Sequence, residues 1–266
     1  MNPTVFRLEL RRIRTLSVWL AVITALYAGF ITLFYANVAA NAEEFERLLE
    51  IYPRELMVAF GLEEGFGEPG VFLHGYVFTF LWPLIAALAA IVPATRVAAD
   101  ADRGFLDVVL AAPIDRVRYL LGSIATQLVA LAVLAAVMVA AILLADLFIE
   151  PNLPTGNVAL AGLHALAFGA AIGGPATLLA VLFLDRGRAA AIVGGAVLLM
   201  YLINVITALA PDYEALGALS YFRYFDLRDL IGDGVYPVAD SLLFAGIAVA
   251  TWLLALLAFR RRDLAA

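Results

Sequence analysis

Asp226, Asp229 and Asp233 lie at i, i+3 and i+7. On a helix that spacing puts three carboxylates on one face, an arrangement able to hold a divalent metal in a membrane-embedded transferase. By the arginine count below, the cluster falls on the outer side. It also lacks a second aspartate motif or a set of basic partners on another loop. Other chemistry-bearing side chains are scarce. There is no cysteine, which removes disulfides, thiolate metal sites and cysteine catalysis. There is no lysine, so a Walker-type phosphate loop cannot be built. Of the two histidines, His74 stands at the mouth of an apolar stretch. His164 stands inside another, where hydrogen bonding between helices is the expected role. Gln127 and Asn204 are expected to act as the same kind of packing glue.

The second group of interest is a charged island, residues 96–118, between long apolar runs. Asp100, Arg103 and Asp107 share one helical face, and Leu106, Val109 and Leu110 share another. Pro113 is expected to stop that helix, and Asp115 to cap the next. Two readings fit: a two-faced connector that touches a partner, or a solvated loop.

The elements that carry these residues follow from composition. Of 266 residues, 64% are hydrophobic, and the mean hydropathy is +0.96. Charge-free windows run 15–42, 70–95, 119–145, 151–184, 189–211 and 241–259. A bilayer core of ~30 Å takes about 20 residues of helix, so each window holds one span. The runs are too long for barrel strands, and alternation is absent. The expected fold is all-α: a polytopic membrane protein with six transmembrane helices, an N-terminal amphipathic helix and a cytoplasmic connector, built as one domain over residues 1–266.

Arginine position supplies the orientation. With the N-terminus inside, thirteen of the seventeen arginines are inside; only Arg47, Arg54, Arg223 and Arg228 are outside. The positive-inside rule then puts both termini in the cytoplasm of a cell-membrane protein. Sixteen of the 23 acids fall on the outer side, mostly in loops 43–69 and 212–238. A surface adapted to concentrated salt and a GC-rich genome that disfavours lysine codons both account for this balance.

Residues 1–14 place Phe6, Leu10 and Ile13 on one face and Arg7, Arg11 and Arg14 on the other, as in a helix lying on membrane lipid. Phe45, Leu48, Leu49 and Tyr52, then Leu56, Met57 and Phe60 after Pro53, suggest a helical hairpin on the outer surface. The aromatic segment 221–237 suggests a re-entrant element, tolerated only against protein. Gly173, Gly174 and Pro175 mark a kink or a close approach. Gly194 and Gly195 mark a helix–helix contact, expected to be that of a dimer.

Four segments together resemble the type-2 ABC transporter permeases, the six-span prokaryotic permease subunits: LELRRIRTLSVWL (8–20), YPRELMVAFGLEE (52–64), DADRGFLDVVLAAPIDRVRYLLG (100–122), and LSYFRYFDLRDLIGDG (219–234) with AFRRRDL (258–264). The resemblance runs nearly end to end, and the connector is its most specific part. It implies that the connector is a coupling helix docked on a separate ABC ATPase subunit, with Asp100, Arg103, Gly104, Asp107, Pro113 and Arg116 at the coupling positions. It implies that Arg11, Arg12 and Arg14 border that ATPase, and that a second permease, identical or related, pairs through spans one and five. ATP and Mg would be bound by the partner ATPase and no cofactor by this chain. Export is the expected direction, and no nucleic-acid partner is expected. Two other classes compete: the transferase based on Asp226, Asp229 and Asp233, and a non-transporting scaffold that keeps the permease fold.

The orientation is checked by single-cysteine labelling, which the cysteine-free background makes clean. Cysteines at Glu64 and Asp233 are expected to react with an impermeant reagent in intact cells, and one at Asp107 is not. Labelling of position 107 from outside would invert the topology.

Overall fold

The computed structural model describes residues 3–41, 68–104, 115–149 and 153–261, with the isolated positions 44, 47, 51, 53 and 57. Six helices are long and apolar enough to cross a membrane. They are α1 (Pro3–Ala40), α2 (Pro69–Ala94), α4 (Arg116–Asp146), α5 (Thr155–Phe183), α6 (Arg186–Leu209) and α8 (Val238–Arg261). The short α3 (Arg96–Asp102) follows α2, and α7 (Arg228–Asp233) precedes α8. No strand occurs among the described residues. The chain is an all-α, multi-pass membrane protein. The hairpin expected around Phe45–Phe60 lies outside the described residues.

The spans follow the apolar windows closely because a helix is the only single segment that satisfies its own backbone in lipid. Their ends follow local chemistry. The Asp115 carboxylate accepts from the Val117 N–H at 3.2 Å and starts α4 as expected. Asp185 accepts from the Arg188 N–H at 2.8 Å and starts α6. Asp146, the last residue of α4, accepts from the Leu153 N–H at 2.8 Å and ties the end of α4 to the approach to α5.

Three expectations change. Residues 3–14 are not a separate surface helix; they are the first turns of α1, which at 38 residues is about 57 Å long and outreaches an apolar layer. Their buried face carries Val5, Glu9 and Ile13, whereas Leu10 is exposed. The cause is α4: a side chain at Gly122 would meet Val5 Cγ1 at 2.9 Å, so the glycine lets α1 settle against it. Second, α3 stops at Asp102 and does not carry Asp100 and Arg103 on one helix toward Asp107. Gly104 has φ +64°, the left-handed conformation that closes a helix. Asp107 and Pro113 lie outside the described residues. Third, α2 contains a π-helical stretch, His74–Leu81, which its apolar sequence does not announce.

α2 and α5 form the centre, each with 61% of its apolar window buried, while α6 has 11% buried and stands at the periphery. Polar side chains lock the centre. Gln127 on α4 donates to the Ala90 carbonyl on α2 at 2.6 Å and to the Gly173 carbonyl on α5 at 3.3 Å; it accepts from Trp252 Nε1 on α8 at 3.2 Å. Trp82 Nε1 donates to the Ala165 carbonyl at 2.9 Å. His164 bridges α5 to Ser241 on α8 and to the Tyr224 carbonyl, at 2.7 and 3.2 Å. Pairing with that carbonyl requires a protonated Nε2. Around it, Phe168, Phe225 and Phe244 pack ring to ring, with Phe168 and Phe225 centroids 4.4 Å apart. Gln127 and His164 thus act as the interhelical glue expected of them.

Gly173 and Gly174 are a close-approach site. A Cβ at Gly173 would lie 2.7 Å from the Gln127 amide carbon, and one at Gly174 would collide with Thr251 Oγ1 and come within 3.0 Å of the Ala248 backbone. Gly174→Leu is therefore expected to destabilise the protein by about 1–3 kcal/mol or more. Gly246→Leu, where nothing lies within 4 Å, is expected to be near neutral. Thermal unfolding in detergent compares the two.

Candidate functional site

Two polar centres stand at opposite ends of the bundle. At the end that holds the termini, a second apolar core of Val5, Val97, Tyr119, Leu120 and Phe259 surrounds a buried ionic junction. Arg12 Nη1 donates to Asp100 Oδ2 at 2.9 Å, to Asp100 Oδ1 at 3.2 Å and to Glu9 Oε1 at 2.9 Å. The Tyr119 hydroxyl donates to Asp100 Oδ2 at 2.7 Å. Arg96 Nη2 donates to the Arg12 carbonyl at 2.9 Å. Asp100 and Glu9 are 4% and 2% exposed, so their carboxylates are answered by protein groups and not by water. The junction fastens α3 to α1 and α4 at once.

This placement divides the expected coupling residues. Asp100 is enclosed and bonded to Arg12, so neither presents a free charge on the surface. Arg103, Gly104, Arg11 and Arg14 are exposed, and Arg116 is half-buried. Glu9, Arg96 and Tyr119 complete the junction, and sequence reading did not single them out. Glu9 did carry a signal, as the lone acid of a basic segment three residues before Arg12. Tyr119 carried none, because its partner is 19 positions away on another helix.

At the opposite end, two 3₁₀ segments (Pro211–Leu219 and Tyr221–Tyr224) and α7 fold back onto the bundle. Phe222, Phe225, Leu227, Leu230 and Ile231 are buried there against protein. A side chain at Gly70 would come 2.8 Å from the Arg228 carbonyl, so α7 sits tightly on the start of α2. The Leu227 N–H donates to His74 Nδ1 at 3.3 Å, which anchors this connection to the π-helical stretch. Beside it a cavity of about 330 Å³ opens between α2, α6 and the connection. Its wall includes His74, Tyr201, Asn204, Arg223, Asp226 and Arg228.

The three aspartates do not assemble as the sequence spacing allows. α7 begins only at Arg228, so Asp226 precedes the helix and is off the face of Asp229 and Asp233. Its carboxylate is held by Arg228 at 2.6 Å. Burial works to raise its pKa, but the hydrogen bonds from Arg228 and the nearby His74 outweigh it and hold it down to about 2. Among the described residues no three histidine or acidic side chains converge on a metal position. Gly194 and Gly195 sit on α6 with nothing among the described residues within 4 Å of a Cβ at either. Compared with known proteins, the chain matches no family model and no curated relative.

Removing one partner of a buried ion pair leaves the other uncompensated, at a cost of about 3–5 kcal/mol. Asp100→Asn and Arg12→Ala are each expected to lower stability on that scale, and Tyr119→Phe by about 1–3 kcal/mol. The Asp100→Asn/Arg12→Ala pair is expected to cost less than the sum of the two, because the charge left at Asp100 by the loss of Arg12 is gone, while Glu9 still loses its arginine. Denaturation of the four variants in one detergent checks this; additive losses would disprove the coupling.

Proposed function

We propose that this chain is the transmembrane permease subunit of an ATP-driven transporter of the ABC type-2 class, working as an exporter in the cell membrane with both termini cytoplasmic. The observation that carries the reading is the buried junction under the connector. Asp100 joins α3 to α1 through Arg12 and to α4 through Tyr119. A push on α3 would reach two spans without passing through a flexible joint.

The mechanism follows from that linkage. A partner ATPase binds ATP and Mg and closes. The exposed Arg103–Gly104 turn and the segment after it take up the contact. Asp100 serves as a positioning residue, converting displacement of α3 into tilting of α1 and α4. Such a two-state element biased from outside the chain is the physical content of the coupling. A second permease completes the route. The open surface at Gly194 and Gly195 and the low burial of α6 leave room for another helix to approach closely, as small residues allow. The transferase reading loses its geometric support, since Asp226 is spent on Arg228.

Gly104→Pro tests the coupling, because proline fixes φ near −65° where the turn needs +64°. Asp107→Arg reverses a charge in the same segment. Both variants are expected to insert normally and to lose ATPase co-purification and ATP-driven transport. Replacing Asp226, Asp229 and Asp233 together by asparagine is expected to have a smaller effect. Normal coupling in the first two with inactivity of the third would overturn the permease reading.

A further inference from the structure

The cavity at the end opposite the termini has a composition that selects a ligand. Asn204 lies on α6 and lines it. Gln127 and His164, the comparable polar groups elsewhere in the spans, are bonded to neighbouring helices. The Asn204 carboxamide has no hydrogen-bond partner among the described residues. An amide on an apolar helix that no neighbour answers is unfavourable unless something in the cavity answers it.

The charges on the wall are already matched. Arg228 is paired with Asp226 at 2.6 Å, and Arg223 with Glu214 at 3.3 Å. A ligand with a net charge would have to disrupt a pair or face its like-charged half. A neutral ligand whose groups both donate and accept can bond to carboxylate, guanidinium and amide without breaking either pair. Tyr201 adds ring surface for an apolar C–H face. The volume, about 330 Å³, falls at the lower end of small-molecule pockets. We propose that this cavity binds a neutral, polyhydroxylated ring of hexose size, either as a free sugar or as the headgroup of a glycolipid, with Asn204 as its central hydrogen-bonding group. The inference stands on the cavity alone and does not depend on a partner ATPase.

The full chain in phosphatidylglycerol nanodiscs is titrated with glucose and galactose, and with glucosamine and glucuronate as charged isosteres. A parallel preparation contains monoglucosyl diacylglycerol. Calorimetry reads the free sugars, and hydrogen-exchange protection of residues 201–214 and 221–228 reads both arms. Saturable binding of a neutral hexose is expected, weakened about tenfold by Asn204→Ala. That variant is also expected to keep its unfolding midpoint, since the Asn204 carboxamide has no partner among the described residues and the Thr207 hydroxyl bonds only to the Asn204 backbone carbonyl. Protection by the glycolipid without binding of free sugar supports the same site with a lipid source. Absence of binding in both arms overturns the proposal. So does tighter binding of a charged isostere, or an unchanged affinity in Asn204→Ala.

Discussion

In an apolar layer without water, each buried amide, hydroxyl or ring nitrogen has to be answered by another protein group. Most of this bundle is arranged around that requirement. Gln127 alone meets groups on three other helices, and His164 joins α5 to α8 and to the connection that precedes it. The apolar side chains around them pack equally well in many registers, since lipid tails are as apolar as leucine. The polar contacts are directional and therefore select one register.

Directional contacts also demand that helices come close, and small residues permit it. Gly173 makes room for Gln127, and Gly174 brings α5 against Thr251 and the α8 backbone. Gly122 does the same for α1 and α4 at the terminal end. The result is a centre of α2 and α5 against which α4 and α8 are fastened, with α6 least buried.

The two ends solve the charge problem differently. The ionic junction encloses Glu9 and Asp100, pairs both with the half-buried Arg12, and ties α3 to α1 and α4. The cavity at the other end keeps its ion pairs on an open wall and leaves the Asn204 amide facing space. A cavity wall with an amide free of protein partners can bond to whatever occupies the cavity.

Much of the fold was legible in the sequence. Six uncharged windows had to become six helices, because no other single segment spares lipid its backbone polar groups. Asp115 announced a cap, and Gly173 and Gly174 a close approach, because both depend on chemistry within a turn or on the absence of a side chain. Pairings between distant positions were decided only by tertiary structure. Arg12 and Asp100 are 88 positions apart, and each looked like a surface charge available to a partner. Bringing α1 against α3 buried Asp100, half-buried Arg12 and made them partners of each other. The aspartates at 226, 229 and 233 had a helical spacing without the helix, since α7 starts after Asp226. Asn204 resembled Gln127 in type and setting, yet only Gln127 received neighbours. Local periodicity determines which residues are helical and apolar; which polar groups meet depends on how helices pack in three dimensions, and no spacing along the chain encodes that.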